Sequence, residues 1–168
     1  QLTAPSEIIE ALRSARSVFI TTHVVPDGDA IGSLLGMKLA LERLGKHCEA
    51  SLSDPVPPSL RFLPGSAEVR SGKCGAASRY DLALVLDCGS LDRVGQCAET
   101  VEACPVSVNI DHHATNTRFA LINWVDTEAA ATCQLVAELI SAMGIAYDSD
   151  IATCLFTGLS TDTGSFRY

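Results

Sequence analysis

The sequence predicts an α/β fold: three layers, with a mostly parallel β-sheet flanked by helices. Three observations point there. Short apolar runs alternate with longer stretches of helical periodicity, the pattern that right-handed βαβ crossovers leave in a chain. The runs at 17–22, 82–86 and 106–110 stop at His23, Asp87 and Asp111. If they are neighbouring parallel strands, these polar groups gather at the carboxyl edge of the sheet, where open α/β sheets hold ligands. Finally, 168 residues that are 47% hydrophobic and 19% charged supply one buried core, enough for one domain or for one and part of another.

Each element has its own signal. Residues 6–16 place Ile8, Ile9, Leu12 and Ala15 at helical spacing, with Ser6 after Pro5 as the predicted N-cap. Residues 17–22 are the first strand. Residues 30–44 give the clearest helix: Leu34, Met37, Leu41 and Leu44 share a face, and Lys38, Glu42 and Lys46 predict a solvent stripe at four-residue spacing. Asp29 is its predicted N-cap and Gly45 its stop. Residues 48–52 predict a second strand, with His47 solvated or structural. The stretch 53–58 and Pro64-Gly65 predict turns. Strands follow at 81–87 and 106–111, with a helix over 95–103 between them. Residues 120–125 are extended, with Trp124 in the core. A helix over 127–143 is capped by Thr127 and stopped by Gly144, and a last helix over 149–161 delivers Asp162. The sequence shows no internal repeat.

Composition excludes several classes. Net charge is −8 and no basic stripe exists, which argues against extended duplex binding. A short anionic substrate stays compatible, because a metal pair can supply the positive charge that the surface lacks. No apolar run approaches a membrane span. The first residues carry neither a basic flank nor an apolar signal core, so a cytoplasmic location is expected. The seven cysteines are scattered without a C-x-x-C pair. They predict no disulfide framework and no zinc site, but small buried hydrophobes in a reducing compartment; Cys88 is expected to pack. The chain stops at Phe166-Arg167-Tyr168 without cap, turn or polar tail, and reads as a truncated domain.

Four stretches carry the chemistry: His23-Val-Val-Pro-Asp27-Gly-Asp29, Asp87, Asp111-His112-His113 and Thr161-Asp162-Thr163-Gly164. Each alone has an ordinary explanation, since Pro-Asp-Gly is turn material and Asp after a strand commonly caps a helix. Together they offer oxygen and imidazole ligands suited to divalent metals such as Mn²⁺. Two ions about 3.5–4 Å apart can clamp an in-line displacement at phosphorus. Gly28 lets Asp27 and Asp29 face different ions, Asp87 is the natural bridge, and His112 with Asp162 completes the second ion's shell. Four carboxylates against two dications sum to about zero charge. A water between the ions is the expected nucleophile. His113 is the candidate general acid or phosphoryl donor, and Asp111 orients a histidine. The helix start at Ala30-Ile31-Gly32-Ser33 is expected to offer N–H groups to an anion, with the Ser33 hydroxyl beside them.

These residues resemble the DHH phosphoesterase superfamily. Asp111-His112-His113 matches its name-giving triplet. His23-x-x-Pro-Asp27-x-Asp29-Ala30-x-Gly32-Ser33 matches its first motif, Asp87 with Asp92-Arg93-Val94-Gly95 its second, and Thr161-Asp162-Thr163-Gly164-x-Phe166-Arg167 its fourth. They occur in family order from residue 23 to the end. Asn109-Ile110 before the triplet, Asn116 after it, and Phe119 to Trp124 resemble the bacterial nanoRNase/pAp phosphatase branch. The resemblance implies two Mn²⁺ ions, with Mg²⁺ or Co²⁺ as substitutes. It implies hydrolysis of short RNA or DNA oligonucleotides to mononucleotides and of 3′-phosphoadenosine 5′-phosphate (pAp) to AMP. It suggests that Arg93 lies near the metal-binding loop, and that a C-terminal DHHA1 domain, unmatched in residues 1–168, grips the substrate. A homodimer is compatible. Other enzymes with the same metal core are a pyrophosphatase, a RecJ-like single-strand exonuclease and a cyclic-dinucleotide phosphodiesterase. A nucleotide-binding module without catalysis is the non-enzyme alternative, against which stands that every expected ligand position is filled.

Overall fold

The computed structural model describes residues 3–72 and 74–167; Gln1, Leu2, Lys73 and Tyr168, the last residue of the supposed truncation, lie outside the described residues. Helix α1 (Ser6–Ser14) leads into strand β1 (Ser17–Thr21), helix α2 (Gly28–Arg43) and strand β2 (His47–Leu52). A loop with two short 3₁₀ turns reaches the two-residue strand β3 (Arg70–Ser71), which the sequence did not signal. Strand β4 (Leu82–Leu86), a 3₁₀ segment at Leu91–Cys97, helix α3 (Ala98–Ala103) and strand β5 (Ser107–Asp111) follow. Strand β6 (Ile122–Val125) and helices α4 (Thr132–Ala142) and α5 (Ser149–Asp162) complete the described chain.

The six strands form one sheet in the order β3-β2-β1-β4-β5-β6, and every pairing is parallel. The strand order reverses direction between β1 and β4, which makes their carboxyl ends the switch point where such sheets open a crevice. Alternation along the strands divides the core. Val18, Ile20, Leu82, Leu84, Leu86, Val108 and Ile110 face the layer of α1, α2, α4 and α5. Phe19, Ala83 and Val85 face Val94, Cys97 and Val101 on the other side. Trp124 is buried in the first core as expected.

Several boundaries differ from expectation, each for a local reason. Pro5, not Ser6, occupies the N-cap of α1, and no side chain caps it. Asp27, not Asp29, caps α2, accepting from the N–H groups of Asp29 and Ala30. The stretch from Thr127 to Ala131 stays outside α4, whose N-cap Ala131 has no side chain able to cap. Lys38 is buried rather than solvated, held by Glu42 at 2.8 Å and Glu68 at 2.6 Å, and Leu44 is exposed. The cysteines form no framework, but one pair departs from the expected free thiols: Cys74 is bonded to Cys97, with Cα atoms 5.2 Å apart. Their separation of 23 residues hides a contact made when the loop before β4 folds against the Leu91–Cys97 segment. The other five cysteines are free and at least partly buried, as expected.

One packing feature sets the site's spacing. Gly28, Gly32 and Gly36 form a smooth stripe on α2 that α5 crosses closely and antiparallel. A Cβ on Gly32 would lie 2.5 Å from the Cys154 carbonyl oxygen, and one on Gly36 would meet Leu155. Gly28 lies against Thr161, so the start of α2 meets the end of α5 and Asp29 comes near Asp162. Because the obstacle at Gly32 is backbone, Gly32→Ala is expected to destabilise the chain by about 1–3 kcal/mol through overpacking. Thermal unfolding checks this; a variant as stable as the parent would show that α2 and α5 can separate freely.

Candidate metal centre

The switch point collects the predicted ligands. β1 ends two residues before His23, β4 delivers Asp87, and β5 ends in Asp111 with His112 and His113 just beyond. Asp87 turns sharply off its strand with φ 54°, a left-handed conformation that Asp tolerates better than most residues. Its Oδ2 lies 3.5 Å from His23 Nε2 and its Oδ1 3.8 Å from His112 Nε2. Ligand atoms of His23, Asp27 and Asp87 fall within 4.8 Å of one another, as do those of Asp29, His112 and Asp162. His112 Nε2 is 3.3 Å from Asp162 Oδ2 and 3.9 Å from Asp29 Oδ2. Asp87 therefore stands between two ligand groups, one oxygen toward each.

Hydrogen bonds leave the imidazole lone pairs pointing inward. His23 Nδ1 donates to the Val24 carbonyl at 2.7 Å, and His112 Nδ1 to the Ala129 carbonyl at 3.3 Å. In the neutral form of each ring the Nε2 lone pair then faces the carboxylates, as a metal requires. His113 differs. Its Nδ1 donates to Asp111 Oδ1 at 2.7 Å, so the 3.8 Å approach of that nitrogen to Asp87 is not a lone-pair contact. Asp111 is fully buried; its other oxygen accepts from Asn116 at 2.6 Å. Asn116 also reaches Asn109 Oδ1 at 2.8 Å, and Asn109 braces the carbonyls of Val85 and Cys88. The guanidinium of Arg93 sits 3.3 Å from His23 Nδ1, a contact between two donors and so proximity rather than a bond.

Two expected contributions to substrate binding do not materialise. Ser33 is fully buried and donates to Ala30 O within its own helix. At the start of α2, Asp27 takes the N–H groups of Asp29, Ala30 and Ile31 with its side chain and carbonyl, so these do not face an anion. In their place, Gly89, Ser90, Arg93, Thr115 and Thr117 line a cleft of about 280 Å³ with His23, Asp27, Asp87 and His113. Thr132 went unnoticed in the sequence: its hydroxyl donates to Asp87 Oδ1 at 2.9 Å, and its N–H and that of Cys133 donate to Asp29 Oδ2 and Oδ1 at 2.6 and 2.9 Å.

The electrostatics fit a cation pair. Burial, then the neighbouring Asp87, pushes the Asp29 carboxyl up to about 8. Burial likewise raises Asp162, with Asp87 and Asp27 adding to it and His112 opposing. For His23, burial works against the charged form, but the bond to Asp87 and the pull of nearby carboxylates raise it overall. Buried carboxylates this close favour ionisation only beside positive charge, and the donor set of oxygens and imidazoles matches a hard or borderline dication. Asp111 behaves oppositely: burial works against its charge, but hydrogen bonds from His113 and Asn116 prevail and hold it low. Chiefly through its bond to Asp111, His113 is raised to about 9.

These shifts give stability a sign. Asp29 keeps its proton in the folded chain up to about pH 8 but loses it near 4 when unfolded, so folding weakens as pH rises between those values. The His113 contribution is full below about 6.5 and is lost as pH rises through about 9, in the same direction. In chelator, the melting temperature is therefore expected to fall from pH 5 to pH 8.5. Mn²⁺ at pH 8 is expected to restore it, by about 2.7 kcal/mol at 100-fold excess over its dissociation constant. A melting temperature that rises with pH in chelator would contradict the site's electrostatics.

Residues 17–159 match the DHH family, N-terminal domain. Over 166 residues the chain is 41% identical to the bifunctional oligoribonuclease and PAP phosphatase NrnA of Thermus thermophilus, covering 97% of this chain and 48% of that protein. The protein of the same name from Bacillus subtilis is 25% identical over 166 residues, covering 97% of this chain and 51% of that one. An exopolyphosphatase-related protein from Bacteroides fragilis superposes with a TM-score of 0.87 at 31% identity, over 97% of this chain and 51% of that chain. The chain thus spans about half the length of these relatives. With the triplet at Asp111-His112-His113 on the sheet's carboxyl edge and the family match extending over most of its length, the chain belongs to the DHH family.

Proposed function

We propose that this chain is the metal-bearing part of a phosphoesterase that hydrolyses short oligonucleotides to mononucleotides and pAp to AMP. The observation that carries the reading is Asp87 standing between two ligand groups, one oxygen toward each. The two relatives named for oligoribonuclease and PAP phosphatase activity support the substrate class. His23, Asp27 and Asp87 would hold one dication; Asp29, His112 and Asp162, with Asp87, the other. Bound there, the ions would offset phosphate charge and lower the pKa of water towards about 7. Oxygen-rich ligation with imidazole suits Mn²⁺, with Mg²⁺ or Co²⁺ as substitutes.

The chain's own residues do the rest. His113, whose pairing with Asp111 favours its protonated form, offers its Nε2–H to the leaving oxygen, while Asp111 fixes the ring and stabilises its charge. Asn116 holds Asp111 in place. Arg93 with Ser90, Thr115 and Thr117 supplies one cation and three hydroxyls along the cleft, enough for a short anionic strand and consistent with the net charge of −8. The remaining grip on the substrate we assign to a C-terminal DHHA1 domain of the full protein, supported by relatives about twice as long. Among the described residues no helix is long and apolar enough to cross a membrane.

Product analysis tests the assignment. Full-length protein with Mn²⁺ is offered pAp, a short RNA, diphosphate and cyclic di-AMP. AMP and mononucleotides are the expected products; hydrolysis of diphosphate or cyclic di-AMP alone would replace the assignment with another. Asp87→Asn, which keeps shape and tolerates the left-handed backbone, is expected to lower the rate by about 100-fold or more, with an unchanged circular dichroism spectrum. Residues 1–168 alone are expected to turn over far more slowly than the full protein. Equal rates would remove the case for a second, substrate-gripping domain.

A further inference from the structure

We propose that Thr132 is a positioning residue of the two-ion centre: its hydroxyl sets the rotation of the Asp87 carboxylate so that one oxygen serves each ion, while its N–H helps fix Asp29. The proposal rests on the two-ion reading above and adds a residue outside the four motifs.

The geometry begins with a helix that cannot cap itself. Ala131 precedes α4 and its methyl group accepts nothing, although the first N–H groups of a helix need partners. Asp29, 103 residues earlier, supplies them: its two oxygens accept from Thr132 N at 2.6 Å and Cys133 N at 2.9 Å. The contact works both ways, since it locks a carboxylate that is 1% exposed into one rotamer. Each oxygen has a second lone pair, which stays available to an ion.

The Thr132 side chain extends the same grip. It is fully buried, and its hydroxyl donates to Asp87 Oδ1 at 2.9 Å. That oxygen faces His112 Nε2 at 3.8 Å, while Oδ2 faces His23 Nε2 at 3.5 Å. A single hydrogen bond on Oδ1 thus decides which oxygen turns to which ligand group. Three residues earlier, in the turn before α4, the Ala129 carbonyl accepts from His112 Nδ1 at 3.3 Å. The short segment 129–133 therefore touches ligands from three other places in the fold: the start of α2, the end of β4 and the end of β5. Outer partners of this kind change metal affinity by about 10–100-fold when removed.

Thr132→Val keeps volume, helix and backbone N–H while deleting the hydroxyl; Thr132→Ser keeps the hydroxyl. Full-length protein in each form is titrated with Mn²⁺ by calorimetry, and electron paramagnetic resonance reports whether the two ions are exchange-coupled through a shared ligand. Wild type is expected to bind two coupled ions. Thr132→Val is expected to bind one ion about 10–100-fold more weakly and to lose the coupled signal, and Thr132→Ser to recover both. Thr132→Ala, if the valine variant does not fold, is expected to behave like valine. Wild-type affinities and coupling in the valine or alanine variant, or no recovery with serine, would overturn the proposal while leaving the two-ion reading intact. A wild type that binds no pair of ions would overturn that reading and the proposal with it.

Discussion

Two buried carboxylates side by side, Asp29 and Asp87, are the constraint around which the molecule is organised. Two like charges at that depth would repel and lose hydration at once, a cost that positive charge nearby offsets. The chain keeps them there with donors from α4, two helix N–H groups and a hydroxyl, and sets the imidazoles from the ends of β1 and β5 beside them. What looks costly in isolation suits a cation trap, whose charge two dications would balance and whose candidate ligands are already oriented.

The scaffold serves this trap at a distance. A parallel sheet whose order reverses between β1 and β4 leaves a crevice at their carboxyl ends. The glycine stripe on α2 lets α5 lie close enough for Asp162 to reach His112. Asp27 has a double task, capping α2 with one oxygen and taking part in the His23 group. Loss of backbone closeness and loss of ligand geometry are thus linked in one small region, while the cores on both faces of the sheet hold it rigid.

Much of this was legible in the sequence, and the limits have physical causes. Apolar runs ending in His23, Asp87 and Asp111 announced strands with a shared edge, because a strand's burial and its polar exit are both local properties. The six candidate ligands could be gathered because their motifs bring recognisable spacing. What escaped depends on partners far away in sequence. Ala129-Ala130-Ala131 gives no cap signal, since the cap comes from Asp29; Thr127 is the nearest residue with a capping side chain, and Thr132 lies inside the helix it would start. Ser33 could not be told from a site residue until its helical face was known. The two-residue shift of the α2 cap from Asp29 to Asp27 changed what that helix start can bind. Lys38 and the Cys74–Cys97 pair likewise found partners in loops without periodicity.

Diffraction from crystals soaked in Mn²⁺, with data collected at the manganese absorption edge, reaches the central claim most directly. Two anomalous peaks flanking Asp87 are predicted, one within coordination distance of His23 and Asp27 and the other of Asp29, His112 and Asp162. A lone peak, or density away from Asp87, would contradict a shared carboxylate between two ions.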